Sequence, residues 1–394
     1  MFARLKAACK APVRMGMALL AAAFVAACEP VSFGGGGLAG GPSVDPSAPV
    51  QVALLVPRGS GQSGDAVLAQ SLENAARLAI ADLNGVQVDL RVYDTAGNAG
   101  TAQAAATQAI SEGAKIILGP VYAESANAVG VAAAQARVNV LAFSNNTTVA
   151  GGNVFVLGPT FQNSANRLTS FAARQGKRRI VVLSSNDLAG QLGAQAIQAA
   201  ASRSGASVVA NVSHEFSQQG VINAVPQVKA AIDSAGADAL FLTANTAGAL
   251  PLISQLLPEQ GVSSATTQFI GLTRWDIPQQ TLALPGVQGG WFALPDPGRT
   301  SQFNARYQSA YGTAPHPIGG LAYDGIAAIG ALVGKGRDLS GAALTQGAGF
   351  QGTGGVFRLL PDGTNERGLA VAQIRDRQLV VIDPAPRAFG GIGF

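Results

Sequence analysis

The stretch VQVALLVPRGSGQSGDAVLAQSLENAARLAIADLN, residues 50–84, sets the pattern of the chain. Its first seven residues form a mostly apolar run of strand length. A loop rich in Gly and Ser follows, and then Leu68, Leu72, Ala75, Leu78 and Ala79 recur at helical spacing. The same order returns in VQVDLRVYDT with AGTAQAAATQAISEGA, and in KIILGP with AESANAVGVAAAQA. VNVLAF then runs into SNNTT. Strands alternating with helices across short loops predict an α/β fold, a parallel sheet with helices on both faces.

The alternation then restarts. RRIVVLSSND leads into LAGQLGAQAIQAAASRSG, SVVANVSHEF into VPQVKAAIDSAG, and ADALFLTA into TAGALPLISQLLPEQ, with TQFIGL closing the set. Two successive units of one layout predict two lobes. VFVLGPTFQNSANRL (154–168) and GVQGGWFALPDPG (286–298) read as crossings between them, the first carrying a Gly-Pro. Helical runs follow the second crossing. The tail is rich in strand-like runs, with a turn at Pro361-Asp362-Gly363. The expected partition is 50–158 plus 294–345 for an N-terminal lobe and 159–293 plus 346–394 for a C-terminal lobe.

Composition narrows the function. Charged residues are 12% of 394, about half the usual share, while hydrophobic residues are 48%, which points to a well-buried chain rather than a disordered one. The formal charge of +4 resides in Arg4, Lys6, Lys10 and Arg14; without these four of 26 basic residues, the rest match the 22 acidic ones. No basic stripe interleaved with aromatics occurs, which argues against a nucleic-acid partner.

Those four basic residues precede MGMALLAAAFVAA, a 13-residue apolar run too short for a comfortable membrane span. It ends in Val25-Ala26-Ala27-Cys28, which resembles a bacterial lipobox. Residues 1–27 are therefore expected to be a lipoprotein signal peptide and Cys28 the lipidation site, holding the protein to a membrane by fatty chains. The only other cysteine is Cys9, so no disulfide is expected in the mature chain. Residues 28–49, rich in Gly, Pro and Ser, read as a flexible tether.

The order of segments over residues 50–385 resembles the type I periplasmic binding fold, in its branched-chain amino-acid-binding-like branch. VALLVPRGSGQSGDAVLAQSLENAARLAI looks like the family's opening strand, Gly-rich loop and long helix. YDTAGNAGTAQAAATQAISEGAKIILGPVYAESA looks like its second and third units, GLAYDGIAAIGAL like the helix lining the hinge, and GTGGVFRLLPDG with LAVAQIRDRQLVV like the closing hairpin. This implies a two-lobed fold with a hinge and a cleft. FIGLTRWDIP (269–278), sparse binding loops and the lipoprotein leader resemble the penicillin-binding protein activators. That resemblance implies a periplasmic lipoprotein that regulates peptidoglycan synthesis by contact with a class A penicillin-binding protein, a peptidoglycan synthase. Glu29, where the inner-membrane retention signal is more usually Asp, leans towards the outer membrane. The alternative is the substrate-binding lipoprotein of an ABC importer for amino-acid-like solutes.

Individual motifs are weighed against plainer readings. Gly59-Ser60-Gly61-Gln62-Ser63-Gly64 is a literal G-x-G-x-x-G, but a dinucleotide site also wants an acid near the end of the second strand, about 20 residues on, and Asp94 there lies 30 residues beyond Gly64, a poor fit. A flexible cleft-edge loop is the better reading, and no cofactor is expected. His214 and His316 stand in no triad or metal-ligand spacing, and G-x-S-x-G is absent, so no catalytic residue or metal site is assigned and the protein is read as no enzyme.

In amino-acid receptors of this fold, the loops after the third and fourth strands bind the ligand carboxylate. Here those loops are GPVYAESAN and AFSNNTT. The resemblance makes Ser60, Gly61, Tyr122, Ser125, Ser144, Asn145, Asn146 and Thr147 candidates for the cleft, where a small-molecule ligand is possible. In the second lobe Ala189 stands where the family has an aromatic cover. Asp187 reads either as an ammonium ligand or as a helix N-cap. Trp275 reads as a replacement lid, a partner anchor or a core aromatic, and Asp324 as a ligand contact or a hinge-helix residue.

Overall fold

The computed structural model describes residues 41–45 and 47–390; the expected signal peptide, Cys28 and most of the expected tether lie outside the described residues. The first sheet is fully parallel. Its strands are β1 (Val50–Val56), β2 (Val88–Asp94), β3 (Ile116–Leu118), β4 (Asn139–Ala142) and β5 (Val154–Val156), in the order β2-β1-β3-β4-β5. The short runs β3 and β4 are buried throughout, as strands covered on both faces must be.

Helices α1 (Asp65–Ala81), α2 (Ala99–Ser111) and α3 (Ala123–Ala134) connect these strands. Ala102, Ala106 and Ala109 of α2 and Ala126, Val129 and Ala133 of α3 pack on Ala53, Leu55, Ile117 and Val140 of one sheet face. So many alanines let both helices lie close to the strands.

The second sheet has seven strands in the order β15-β14-β10-β9-β8-β6-β7. β6 (Arg179–Ser185), β7 (Ser207–His214), β8 (Ala239–Leu242), β9 (Gln268–Gly271) and β10 (Trp291–Leu294) run parallel, and the hairpin β14 (Ala370–Arg375) and β15 (Gln378–Asp383) adds on antiparallel. The alternation of strand side chains feeds two cores. Ile180 and Val182 face α4 (Phe161–Arg174) and α5 (Leu188–Ser204). Val181 and Leu183 face α6 (Gln218–Ala235) and α7 (Leu250–Glu259).

Three segments connect the two sheets. Leu157–Thr160 runs from β5 to α4, and Pro295–Asp296 runs from β10 to α8 (Pro297–Tyr311). Although late in the chain, α8 and α9 (Gly320–Val333) return to the first sheet's side. Tyr311 donates to the Asn74 carbonyl at 2.8 Å, and Arg306 and Tyr323 both reach the Asp82 carboxylate at 2.5 Å.

The third connection is a small antiparallel sheet of its own, β11 (Phe350–Gly352), β12 (Gly355–Leu359) and β13 (Asn365–Arg367). Asn365 joins it to the first crossing by donating to the carbonyls of Val156 and Gly158, both at 2.8 Å. The architecture is the expected two-lobed α/β fold with helix-flanked, mostly parallel sheets.

Candidate functional site

The loops that leave the C-terminal ends of β1, β2 and β3 are tied around one carboxylate. Asp65, the first residue of α1, is buried at 6% exposure. It accepts from Ser60 Oγ at 2.5 Å and from the Tyr122 hydroxyl at 2.7 and 2.8 Å. Ala96 N donates to the Arg58 carbonyl at 3.1 Å and brings the β2 loop alongside. Burial first, and then the bond to the Asp65 carboxylate, pushes the Tyr122 hydroxyl up to about 12. Gly61 stands exposed at the outer edge of this cluster.

The helix N terminus where a dinucleotide pyrophosphate would sit thus already carries a negative side chain. Asp94, the distant acid, pairs with Arg58 at 3.1 Å. The cleft-edge reading of the glycine-rich loop agrees with this geometry.

AFSNNTT, residues 142–148, lies against the first crossing. Leu157 N donates to the Ala142 carbonyl at 2.8 Å and Gly158 N to the Ser144 carbonyl at 3.2 Å. A Cβ on Gly158 would stand 2.5 Å from that same carbonyl, so only glycine lets the crossing pass. Within the loop, the buried Ser144 accepts from Asn146 N at 3.1 Å. Asn146 caps the following turn by accepting from Thr148 N at 2.9 Å and Thr148 Oγ1 at 2.8 Å. Asn145 and Thr147 are exposed, and neither side chain has a hydrogen-bond partner among the described residues. Ser125 differs: it is buried in the first turn of α3, and its Oγ has no hydrogen-bond partner among the described residues.

In the second lobe, Asp187 is the N-cap of α5, accepting from Gly190 N at 2.9 Å and from Ser185 Oγ at 2.6 Å. The Ser185 bond, followed by the Gly190 bond, holds its carboxyl below the ordinary carboxylate range. The plainer of its two readings accounts for all of these contacts.

Trp275 is corrected more sharply. It is fully buried among Phe269, Phe292, Leu282 and Val287, with its ring 6.4 Å from that of Phe292. A side chain with no exposed surface is neither lid nor partner anchor, and of the three readings only the core aromatic stands.

Asp324 is also inaccessible, at 1% exposure. It accepts from Thr353 N at 2.7 Å and Thr353 Oγ1 at 3.0 Å and pairs with Arg367 at 3.3 Å, so it ties α9 to the small sheet. That is a hinge-helix contact, not a ligand contact.

The candidates therefore divide. Ser60, Tyr122, Ser144 and Asn146 shape the first lobe's wall, Gly61, Asn145 and Thr147 are free at its surface, and Trp275 and Asp324 lie elsewhere. Sequence reasoning missed Asp65, the centre of the first cluster; its one signal was an acid directly after the glycine-rich loop. It also missed Leu188, the first residue of α5, and Phe216 on the loop after β7, 69% and 68% exposed. Asn186 N donates to the His214 carbonyl at 2.9 Å and holds the loops after β6 and β7 together. Among the described residues, no group of three or more His, Cys, Asp or Glu is placed to hold a metal, and no helix is long and apolar enough to cross a membrane.

Comparison with solved structures finds the same architecture repeatedly. A branched-chain amino acid ABC transporter periplasmic ligand-binding protein from Burkholderia xenovorans LB400 superposes with a TM-score of 0.67 at 19% identity, over 87% of this chain and 97% of that one. An ABC transporter substrate-binding protein from Desulfitobacterium hafniense, solved with Leu, gives 0.62 at 18% identity, over 85% and 100%. A solute-binding protein of an ABC transporter from Rhodopseudomonas palustris BisB5, in complex with 3,4-dihydroxybenzoic acid, gives 0.58 at 18%, over 85% and 96%. No curated protein sequence matches significantly. The family model described as periplasmic binding protein matches residues 49–378, most of the chain. This protein belongs to the periplasmic binding protein family.

Proposed function

We propose that the chain is a periplasmic solute-binding protein that takes a small organic molecule between its lobes, in the manner of the substrate-binding component of an ABC importer. The observation that carries this reading is the prearranged wall of the first lobe. Asp65, Ser60 and Tyr122 fix the loops after β1 and β3, while the exposed Asn145 and Thr147 are left with hydrogen-bonding capacity. Leu188 and Phe216 offer apolar cover from the second lobe, in place of the aromatic that Ala189 lacks. Relatives of this architecture solved with Leu and with a dihydroxybenzoic acid support an amino-acid-like or aromatic-acid solute. The lipobox at Cys28 supports tethering of the mature chain to a membrane facing the periplasm.

The test is the melting temperature of the full chain against amino acids, their amides and aromatic acids. A solute bound only by the folded state at 100 times its Kd adds about 2.7 kcal/mol, and Thr147→Ala should reduce the shift. A flat panel from folded protein overturns the reading.

A second reading, regulation of a penicillin-binding protein by direct contact, is favoured by one observation. Tyr122, Ser144, Asn146 and Asp187 already satisfy partners within the protein, which leaves few groups for an amino acid's charged ends. It predicts solute-independent binding to a peptidoglycan synthase in a pull-down with purified proteins, and no binding there excludes it.

A further inference from the structure

A groove of about 390 Å³ opens beside the edge of the second sheet, between α5 and strands β6 and β7. It is built by an irregularity in the sheet. Ile180 pairs with Val208, but Val181 pairs with Ala210, so β7 carries one extra residue at that point. Beyond the bulge, Val212 faces the α6 core, which turns Asn211 and Ser213 to the α5 side, beside Ser184. A sheet face covered by a helix normally presents apolar side chains, and Val182 and Val208 do so at the groove floor. Ser184, Asn211 and Ser213 break that pattern.

The facing wall repeats the chemistry. Gln191, Gln195 and Gln198 project from α5, with the apolar Ala194 between them. Gln191 is engaged with the Asn186 carbonyl at 2.8 Å. The side chains of Gln195, Gln198 and Ser213 have no hydrogen-bond partner among the described residues. Ser184, at 3% exposure, has only a 3.4 Å contact to Asn211 Oδ1. None of the lining residues is ionisable.

From this we infer that the groove, which ends at Ser185 and Asn186 of the loop after β6, is a second binding site, distinct from the first-lobe wall, for a neutral saccharide. Each amide offers donors and an acceptor at one end and each hydroxyl both roles, which matches ligand hydroxyls that need both. The valine and alanine floor suits the C–H face of a sugar ring. No lining side chain is charged, and the Asp187 carboxylate behind the lining Ser185 is already engaged by Ser185 Oγ at 2.6 Å and Gly190 N at 2.9 Å, so the groove disfavours a free amino acid. The polar groups are side chains on the sheet face rather than the free backbone edge of β7, which favours a saccharide over an added peptide strand. The size lies at the small end for ligand sites.

The test is calorimetric titration of the full chain with neutral oligosaccharides of glucose and of N-acetylglucosamine, and with an uncharged capped peptide. Cosedimentation with purified peptidoglycan sacculi runs in parallel. Gln195→Ala and Asn211→Ala remove exposed side chains, and an unchanged melting temperature confirms folding. The expected result is saccharide binding weakened about threefold or more by each and untouched by Thr147→Ala. Retention on sacculi with the same residue dependence makes cell-wall glycan the source, and binding of free oligosaccharide alone makes it a soluble sugar. The inference is overturned if no saccharide binds, if binding ignores both groove substitutions, or if only the peptide binds.

Discussion

Asp324 and Arg367, from α9 and β13, form an ion pair at 3.3 Å where the chain passes between the lobes. Asp324 is buried, at 1% exposure, and Arg367 is mostly covered, at 10%. Arg367 also donates to the Leu157 carbonyl of the first crossing and lies over the Phe357 ring, 5.3 Å from its centroid. One guanidinium thus joins the first crossing, the small sheet and the first-lobe helix.

Removing either partner leaves a buried charge unpaired. Arg367→Met is expected to cost about 3–5 kcal/mol, and Asp324→Asn a similar or smaller amount because its bonds to Thr353 can persist. The double variant should be less damaged than the sum of the singles, since no charge is then stranded. Urea unfolding of all four proteins checks this, and strict additivity would show that the pair does not interact.

Trp275 gives a prediction of stability rather than binding. A Cβ on Gly271 would lie 2.3 Å from the indole, so that glycine makes room for it. Trp275→Ala should cost about 3–5 kcal/mol, and Gly271→Ala should also destabilise, while solute affinity of the folded fraction stays unchanged. Both tryptophans are buried, at 0% and 7%, so a neutral quencher should reach native fluorescence poorly. Ready quenching of Trp275 would place it at a surface.

Asp187 separates a cap from a ligand. Asp187→Ala should cost about 1 kcal/mol, and Asp187→Ser or Asp187→Asn much less, because each keeps an oxygen for Gly190 N. Its carboxyl titrates below the ordinary 3.8, so its contribution is present above that pH and is lost as pH falls through the lower folded value. Solute binding lost in Asp187→Asn at unchanged stability would instead make it an ammonium ligand.

Tyr122 reports on the first-lobe cluster. Its folded value of about 12 lies above the ordinary 10, so its contribution is intact below pH 10 and is lost as pH rises towards 12. In Asp65→Asn the hydroxyl should ionise earlier, though still above 10, because burial remains. Phenolate absorbance of the variant minus that of Asp65→Asn with Tyr122→Phe isolates this residue. No change on replacing Asp65 would mean that the two do not touch.

The lobes were legible in the sequence because their signals are local. The run at 50–56 and the helical spacing from Leu68 to Ala79 need no knowledge of distant neighbours. The turn at Pro361-Asp362-Gly363 was legible for the same reason, since Asp362 accepts from Thr364 N at 2.9 Å. That its flanking strands belong to a third sheet was not, because pairing is decided between segments far apart. Burial was the other blind spot. An exposed Trp and a core Trp look alike in FIGLTRWDIP, and nothing near Ser125 says that its hydroxyl is enclosed. The groove beside β7 depends on a bulge whose position no local pattern marks.

The most direct measurement is small-angle X-ray scattering of the full chain with and without each solute that raises its melting temperature. Binding between hinged lobes predicts a smaller radius of gyration with that solute, a compaction that Thr147→Ala weakens at fixed solute concentration. Scattering that no solute alters, from protein that is folded and monodisperse, would contradict closure over a ligand.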